Sequence, residues 1–169
     1  MVDRARFSAG LFYRWTGAMH DFQAVRSQLV KEGKAVGKPA STAQFDAFES
    51  AHRVRLPLQV RLNYAIMNGA PECADEWPSR IRFWALDEWR RASEQYRGCE
   101  VADCFFGDLF ICADHLMECV HYVIDLDPAS AHYGRVDAVG ATRLGMVASN
   151  FNDFVACVAQ DSDDLHRYG

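Results

Sequence analysis

This sequence predicts an α+β fold with a mostly antiparallel sheet, and three observations carry that reading. Five segments between residues 101 and 148 have strand length and strand composition: 101–106, 108–113, 118–125, 134–139 and 143–148. The intervals between them are too short for helical crossovers, so neighbours must run antiparallel. A C-terminal amphipathic helix closes the series over about 150–160, with Ser149 as its cap and Phe151, Phe154, Val155 and Val158 as its buried stripe. If Phe154 is fully buried, Phe154→Ala should cost roughly 3–5 kcal/mol.

The N-terminal half supplies the helices. Met19, Phe22, Val25, Leu29 and Val30 stand near helical spacing over residues 19–32. Gly33, Gly37 and Pro39 then break the chain, so 33–40 reads as a linker. Residues 1–40 form an N-terminal helical extension, too short to hold a core of its own. Ser41-Thr42-Ala43-Gln44 matches a capping box, with Phe45, Phe48 and Ala51 following on one face. That helix ends near His52, because Pro57 pushes its predecessors out of the α region. A second helix starts with Pro57 in its first turn, carries Val60, Tyr64 and Met67, and stops at Asn68-Gly69. Residues 70–80 read as loop. Arg82-Phe83-Trp84-Ala85-Leu86 reads as a further strand, and Asp87 as the cap of a charged helix reaching about Tyr96. The total is five to six short strands packed with helices.

At 169 residues and 50% hydrophobic the chain can bury a sizeable core, and its length suits one main domain, residues 41–169. Its net charge of −5 hides an asymmetry. Residues 1–97 hold fifteen Lys/Arg against eleven Asp/Glu, whereas residues 98–169 hold three against twelve. The acidic half disfavours nucleic acid and anionic membrane and suits a basic protein. Arg14 interrupts Leu11-Phe12-Tyr13, so no export signal forms, and no apolar run approaches a membrane span. The expected location is the cytoplasm, where the six cysteines stay reduced.

Several landmarks fall in a telling order. Leu56-Pro57 precedes Asn68-Gly69 by twelve residues, and Phe83-Trp84-Ala85-Leu86 runs into Asp87-Glu88. Phe106-Gly107-Asp108, Tyr122 to Leu126, Gly134-Arg135-Val136 and Val147-Ala148 with Phe151 and Phe154 complete the series. Over residues 41–165 this order resembles the SUKH superfamily of bacterial toxin-immunity proteins and a fungal cell-wall assembly regulator. Such proteins usually carry an aromatic where this chain has Val60 and a Phe where it has Asn63. The resemblance implies an α+β domain with a binding function, and it brings no catalytic residue and no cofactor.

Candidate chemistry is sparse. Cys112, His115, Cys119 and His121 put four metal-capable side chains within ten residues. A hairpin turning at Asp114–Met117 would set Cys112 opposite Cys119 and His121 across from Phe110. The spacing is no standard zinc pattern, and buried free Cys commonly serves as a small hydrophobe, so no metal ligand is assigned. No flanking signature supports a Cys–His nucleophilic pair, and no phosphate-cradling glycine loop is present. Asp125 and Asp127 either share one strand face or mark a strand end and a turn. Asp161, Asp163 and Asp164 form a solvated tail, or extend an acidic patch with Asp125, Asp127 and Asp153. Trp77, near Arg80, Arg82 and Arg90, is a candidate interface anchor.

Together these point to a non-enzymatic immunity protein that occludes a basic cognate toxin. A regulatory or scaffold module binding a cellular protein is the alternative. A small enzyme or a zinc-binding protein stands behind both.

Overall fold

The sheet expected from segment length and composition is a six-stranded antiparallel sheet in the computed structural model, which describes residues 21–73, 80–99, 108–115, 119–140 and 144–165. In chain order the helices are α1 (21–31), α2 (Thr42–His52), α3 (Leu58–Tyr64), α4 (Ala92–Gln95) and α5 (Phe151–Ala159). The strands are β1 (Ile81–Phe83), β2 (Arg90–Arg91), β3 (Leu109–His115), β4 (Val120–Asp125), β5 (Val136–Val139) and β6 (Leu144–Ala148). Their order is β1-β3-β4-β5-β6, with β2 also paired to β3. The expected strand at 101–106 lies outside the described residues.

Register decides which side chains share a face. Phe83, Ala113, Tyr122 and Ala138 are successive cross-strand partners, and partners point to the same side. Helices α1 and α5 pack against that side. Tyr122 and Phe154 have ring centroids 4.9 Å apart, and Phe83 meets Phe154 at 5.7 Å. Phe22 of α1 packs edge-on against Phe83 at 5.1 Å. Phe151, Phe154, Val155 and Val158 are all fully buried, as the periodicity of α5 required.

Hydrogen bonds explain where several expectations fail. The strand expected over 82–86 ends at Phe83, although Trp84 N still donates to Cys112 O at 3.0 Å. Glu88 then accepts from Ala85 N at 2.7 Å and donates its own N–H to Ala85 O at 2.9 Å, closing a turn over 85–88. Asp87 therefore caps no helix. The chain beyond it pairs Arg90 and Arg91 with Ile111 and Phe110 before the four-residue α4 begins.

The helix after Pro57 ends at Tyr64 instead of reaching Asn68-Gly69. Gly69 has φ +70° and lies so near the Trp84–Ala85 peptide that an added Cβ would meet Ala85 N at 2.4 Å. At the C-terminal helix Asn150 replaces the expected Ser149 as cap, its Oδ1 accepting from Asp153 N at 3.0 Å.

The Ser41 capping box forms as expected. Ser41 N donates to Gln44 Oε1 at 2.9 Å, and Gln44 N donates to Ser41 Oγ at 3.3 Å. The 33–40 segment is laced to the chain after α3. Gly37 N donates to Gly69 O at 2.8 Å, Ala40 N to Tyr64 O at 2.9 Å, and Asn68 N to Lys38 O at 3.3 Å. Phe22, Val25 and Leu29 of α1 belong to the same core as the sheet.

Candidate protein-binding surface

The hairpin of β3 and β4 is not symmetric, and this rearranges the cysteine–histidine cluster. The register shifts between Ile111 and Ala113, leaving Cys112 as the extra residue of a bulge. His121 consequently faces Asp114, and Phe110 faces Ile124. The expected pairings of Cys112 with Cys119 and of His121 with Phe110 are corrected by that one inserted residue. Cys112 is fully buried, and its Sγ donates to Tyr122 O at 3.4 Å. Burial pushes its thiol far above the ordinary range, so it is no ready thiolate. Cys119 is exposed, and His115 ends β3 half-buried. No group of three or more metal-capable side chains is gathered among the described residues.

The sheet face turned away from α5 carries a braced polar cluster. Arg82, Asp114, His121 and Val139 are cross-strand partners on it. Arg82 Nε donates to Asp114 Oδ2 at 2.8 Å, and the Trp84 indole N–H donates to the same oxygen. The guanidinium groups of Arg90 and Arg82 lie over the Trp84 ring at 4.7 and 5.3 Å. The Tyr96 hydroxyl contacts His121 Nδ1. Asp114 is buried, and its ion pair pins β1 to β3. Sequence reading missed this strut; its signal was an Asp directly after the apolar run 109–113, with Arg82 in the strand that pairs beside it.

The candidate acidic residues divide into two groups. Asp125 is buried, and both its oxygens are taken up locally: Asp127 N donates to one at 2.9 Å and Ser130 Oγ to the other at 2.6 Å. Asp127, half-buried, accepts from Ala129 N at 2.9 Å. Asp153 sits in the first turn of α5, accepting from Ser149 Oγ at 2.6 Å and Asn150 Nδ2 at 2.7 Å. There the helix dipole favours its charge. Asp161 lies past the other end of α5 with φ +50°. The exposed Asp163 follows in a 3-10 turn that also contains Asp164. Six residues of helix, 154–159, follow Asp153 before the chain turns out at Asp161, a rise of roughly 9 Å at 1.5 Å per residue. Trp77 lies outside the described residues.

A second ionic cluster, also missed from the sequence, braces the end of α2. Glu49 Oε1 accepts from Leu56 N at 2.8 Å, while Oε2 meets Arg61 at 2.9 Å and Arg55 at 3.3 Å. Burial raises the Glu49 carboxyl, but the Leu56 N–H and the two arginines outweigh it and hold it below the ordinary value.

Open clefts flank α2 on both sides. One, of about 500 Å³, is lined by Asp46, Glu49, Ser50, Arg53, Arg55 and Pro128. The other, of about 270 Å³, lies between the helix and the 85–88 turn, with Phe48, His52, Leu86 and Asp87 among its walls. No helix among the described residues is long and apolar enough to cross a membrane.

A helix-backed antiparallel sheet that uses its buried carboxylates as struts, and offers shallow charged clefts outside, has the make-up of a protein-binding module. The chain belongs to the SMI1 / KNR4 family (SUKH-1), whose model matches residues 39–157, more than half its length. Members are immunity or regulatory protein-binding domains and generally not enzymes. No curated protein matches the chain. The matched stretch excludes α1, yet Phe22, Val25 and Leu29 of that helix are buried in the common core.

Proposed function

We propose that this chain is a cytoplasmic immunity protein that neutralises a basic cognate toxin by occluding it, without chemistry of its own. The observation that carries the reading, beside family membership, is the charge of residues 98–169, three basic against twelve acidic. Asp127, Asp153, Asp161, Asp163 and Asp164 contribute to that field from the two ends of α5 and the β4–β5 turn, and Asp125 adds its charge from the buried end of β4. An acidic field raises association rates with a basic protein by ~10–10³ at low salt. Trp77 serves as an anchor of the contact.

Stopped-flow mixing with the toxin encoded by the neighbouring gene tests this. Association that slows steeply with added salt, together with loss of toxin activity, is the expected result. Rates flat across ionic strength reject the electrostatic part, and absence of binding rejects the toxin as partner. In that last event the family's regulatory branch is the alternative, with a cellular protein captured in its place.

A further inference from the structure

The smaller cleft beside α2 has a combination of walls that selects its occupant. Ala47 and Ala51 are exposed on one side, Phe48 and Leu86 supply buried apolar surface at the base, and Asp87 stands exposed at the rim. Asp87 makes no side-chain hydrogen bond or ion pair among the described residues. Gln44 also lines the cleft, but its Oε1 is engaged by Ser41 in the capping box.

We propose that this cleft is the anchor pocket for a lysine or arginine side chain of a basic partner protein. Long cationic side chains lay their methylenes along apolar surface and keep the charged head at a polar edge. Here the stem would lie on Phe48, Leu86 and the two alanines, with the cation at Asp87. The remaining titratable wall, His52, does not oppose a cation at neutral pH. Burial and the nearby Arg91 charge lower its pKa, with Glu94 pulling the other way.

The pocket is held open by its own frame. Leu86 N donates to Asn68 Oδ1 at 2.8 Å, and Glu88 Oε2 holds Ala85 N at 2.7 Å, so the turn bearing Asp87 is fixed from both sides. Opposite, Phe48 packs on the His52 ring at 4.6 Å and on Phe110 at 5.5 Å, which keeps the floor rigid. A preorganised pocket loses little ordering entropy when filled.

The proposal takes the basic macromolecule from the reading above, but the pocket's preference for a cation stands independently of it. Two measurements on the full chain separate the two claims. In the first, amide chemical shifts are followed while n-butylguanidinium chloride or sodium butyrate is added. The guanidinium should shift Ala47, Ala51, His52 and Asp87, the carboxylate should not, and Asp87→Asn should abolish the response. Scattered shifts, or shifts unchanged in Asp87→Asn, overturn the pocket.

In the second, the affinity of the neighbouring-gene toxin is compared for wild type, Asp87→Asn and the cleft-filling Ala47→Phe, each checked by thermal melting. A tenfold or greater weakening in both variants, about 1.4 kcal/mol, with melting unchanged, is expected. Equal binding by all three rejects the pocket as the anchor and leaves the immunity reading standing. Guanidinium binding at Asp87 with no toxin binding by wild type rejects the immunity reading and leaves the pocket standing.

Discussion

Asn63 of α3 donates its amide to Asn152 Oδ1 of α5 at 2.8 Å, while its own Oδ1 has no partner although the residue is fully buried. The same amide also donates to Gln59 O at 2.7 Å. Two donors are thus satisfied and one acceptor is stranded between two helices. A buried polar atom without a partner costs about 1–3 kcal/mol.

Asn63→Leu removes that atom while keeping the same number and branching of side-chain heavy atoms, and leaves half-buried Asn152 able to reach water. It should raise stability by about 1 kcal/mol, or roughly 2–4 °C in Tm. Asn63→Asp should lower it, because a carboxylate there would be buried without a cation. Thermal unfolding of the three proteins decides the matter; a fall in Tm for the leucine variant would count against it.

Glu49 should make stability pH-dependent in one direction. Its folded pKa lies below the ordinary value of 4.5, so it stabilises the fold above that pH and loses the contribution as pH falls through the folded value. Glu49→Gln should therefore be less stable by roughly 1–3 kcal/mol at pH 7. Urea unfolding should show the gap narrowing below about pH 4.5. A gap constant from pH 7 to pH 3 would contradict the ionic role.

Two glycines with similar φ should respond differently to alanine. Gly33 has φ +72° with nothing within 4 Å of its added Cβ. Gly33→Ala should cost only the left-handed penalty, about 1–2 kcal/mol. Gly69, at φ +70°, also meets backbone atoms of Trp84 and Ala85. Adding 1–3 kcal/mol for overpacking gives roughly 2–5 kcal/mol for Gly69→Ala. Equal losses in denaturant unfolding would show that the close approach carries no weight.

The cysteines should divide by exposure. Cys99 and Cys119 are exposed and should react with a thiol reagent in the native state, whereas Cys112 should not until the chain unfolds. Mass spectrometry after brief alkylation at pH 8 reads this directly. Native labelling of Cys112 would mean that the bulge opens.

Legibility from sequence followed the range of the forces involved. The Ser41–Gln44 box and the Phe151–Val158 stripe were readable because their partners lie within one or two helical turns. The hairpin's existence was readable too, but its register was not. Composition does not reveal that Cys112 is inserted as a bulge, and one inserted residue moves every later pairing. Asp87 looked like a helix cap until Glu88 captured the Ala85 N–H and β3 recruited Arg90 and Arg91, a contact some twenty residues away. Among the carboxylates of 125–164, the sequence places Asp153 and Asp161 at the two ends of α5, but it does not show that Asp125 is buried and held by Asp127 N and Ser130 Oγ. The Asp114–Arg82 strut joins residues 32 apart, beyond any local pattern.

The ring chain Phe22–Phe83–Phe154 has a consequence for biosynthesis. The strands β3 to β6 form a meander of sequential hairpins, but Phe83, translated early, finds its aromatic neighbours Phe151 and Phe154 only when α5 has left the ribosome. Until then the nascent chain carries unsheltered hydrophobic surface, which invites chaperone capture. A chain stalled after residue 148 should stay protease-sensitive, and release of the last helix should confer resistance in one cooperative step.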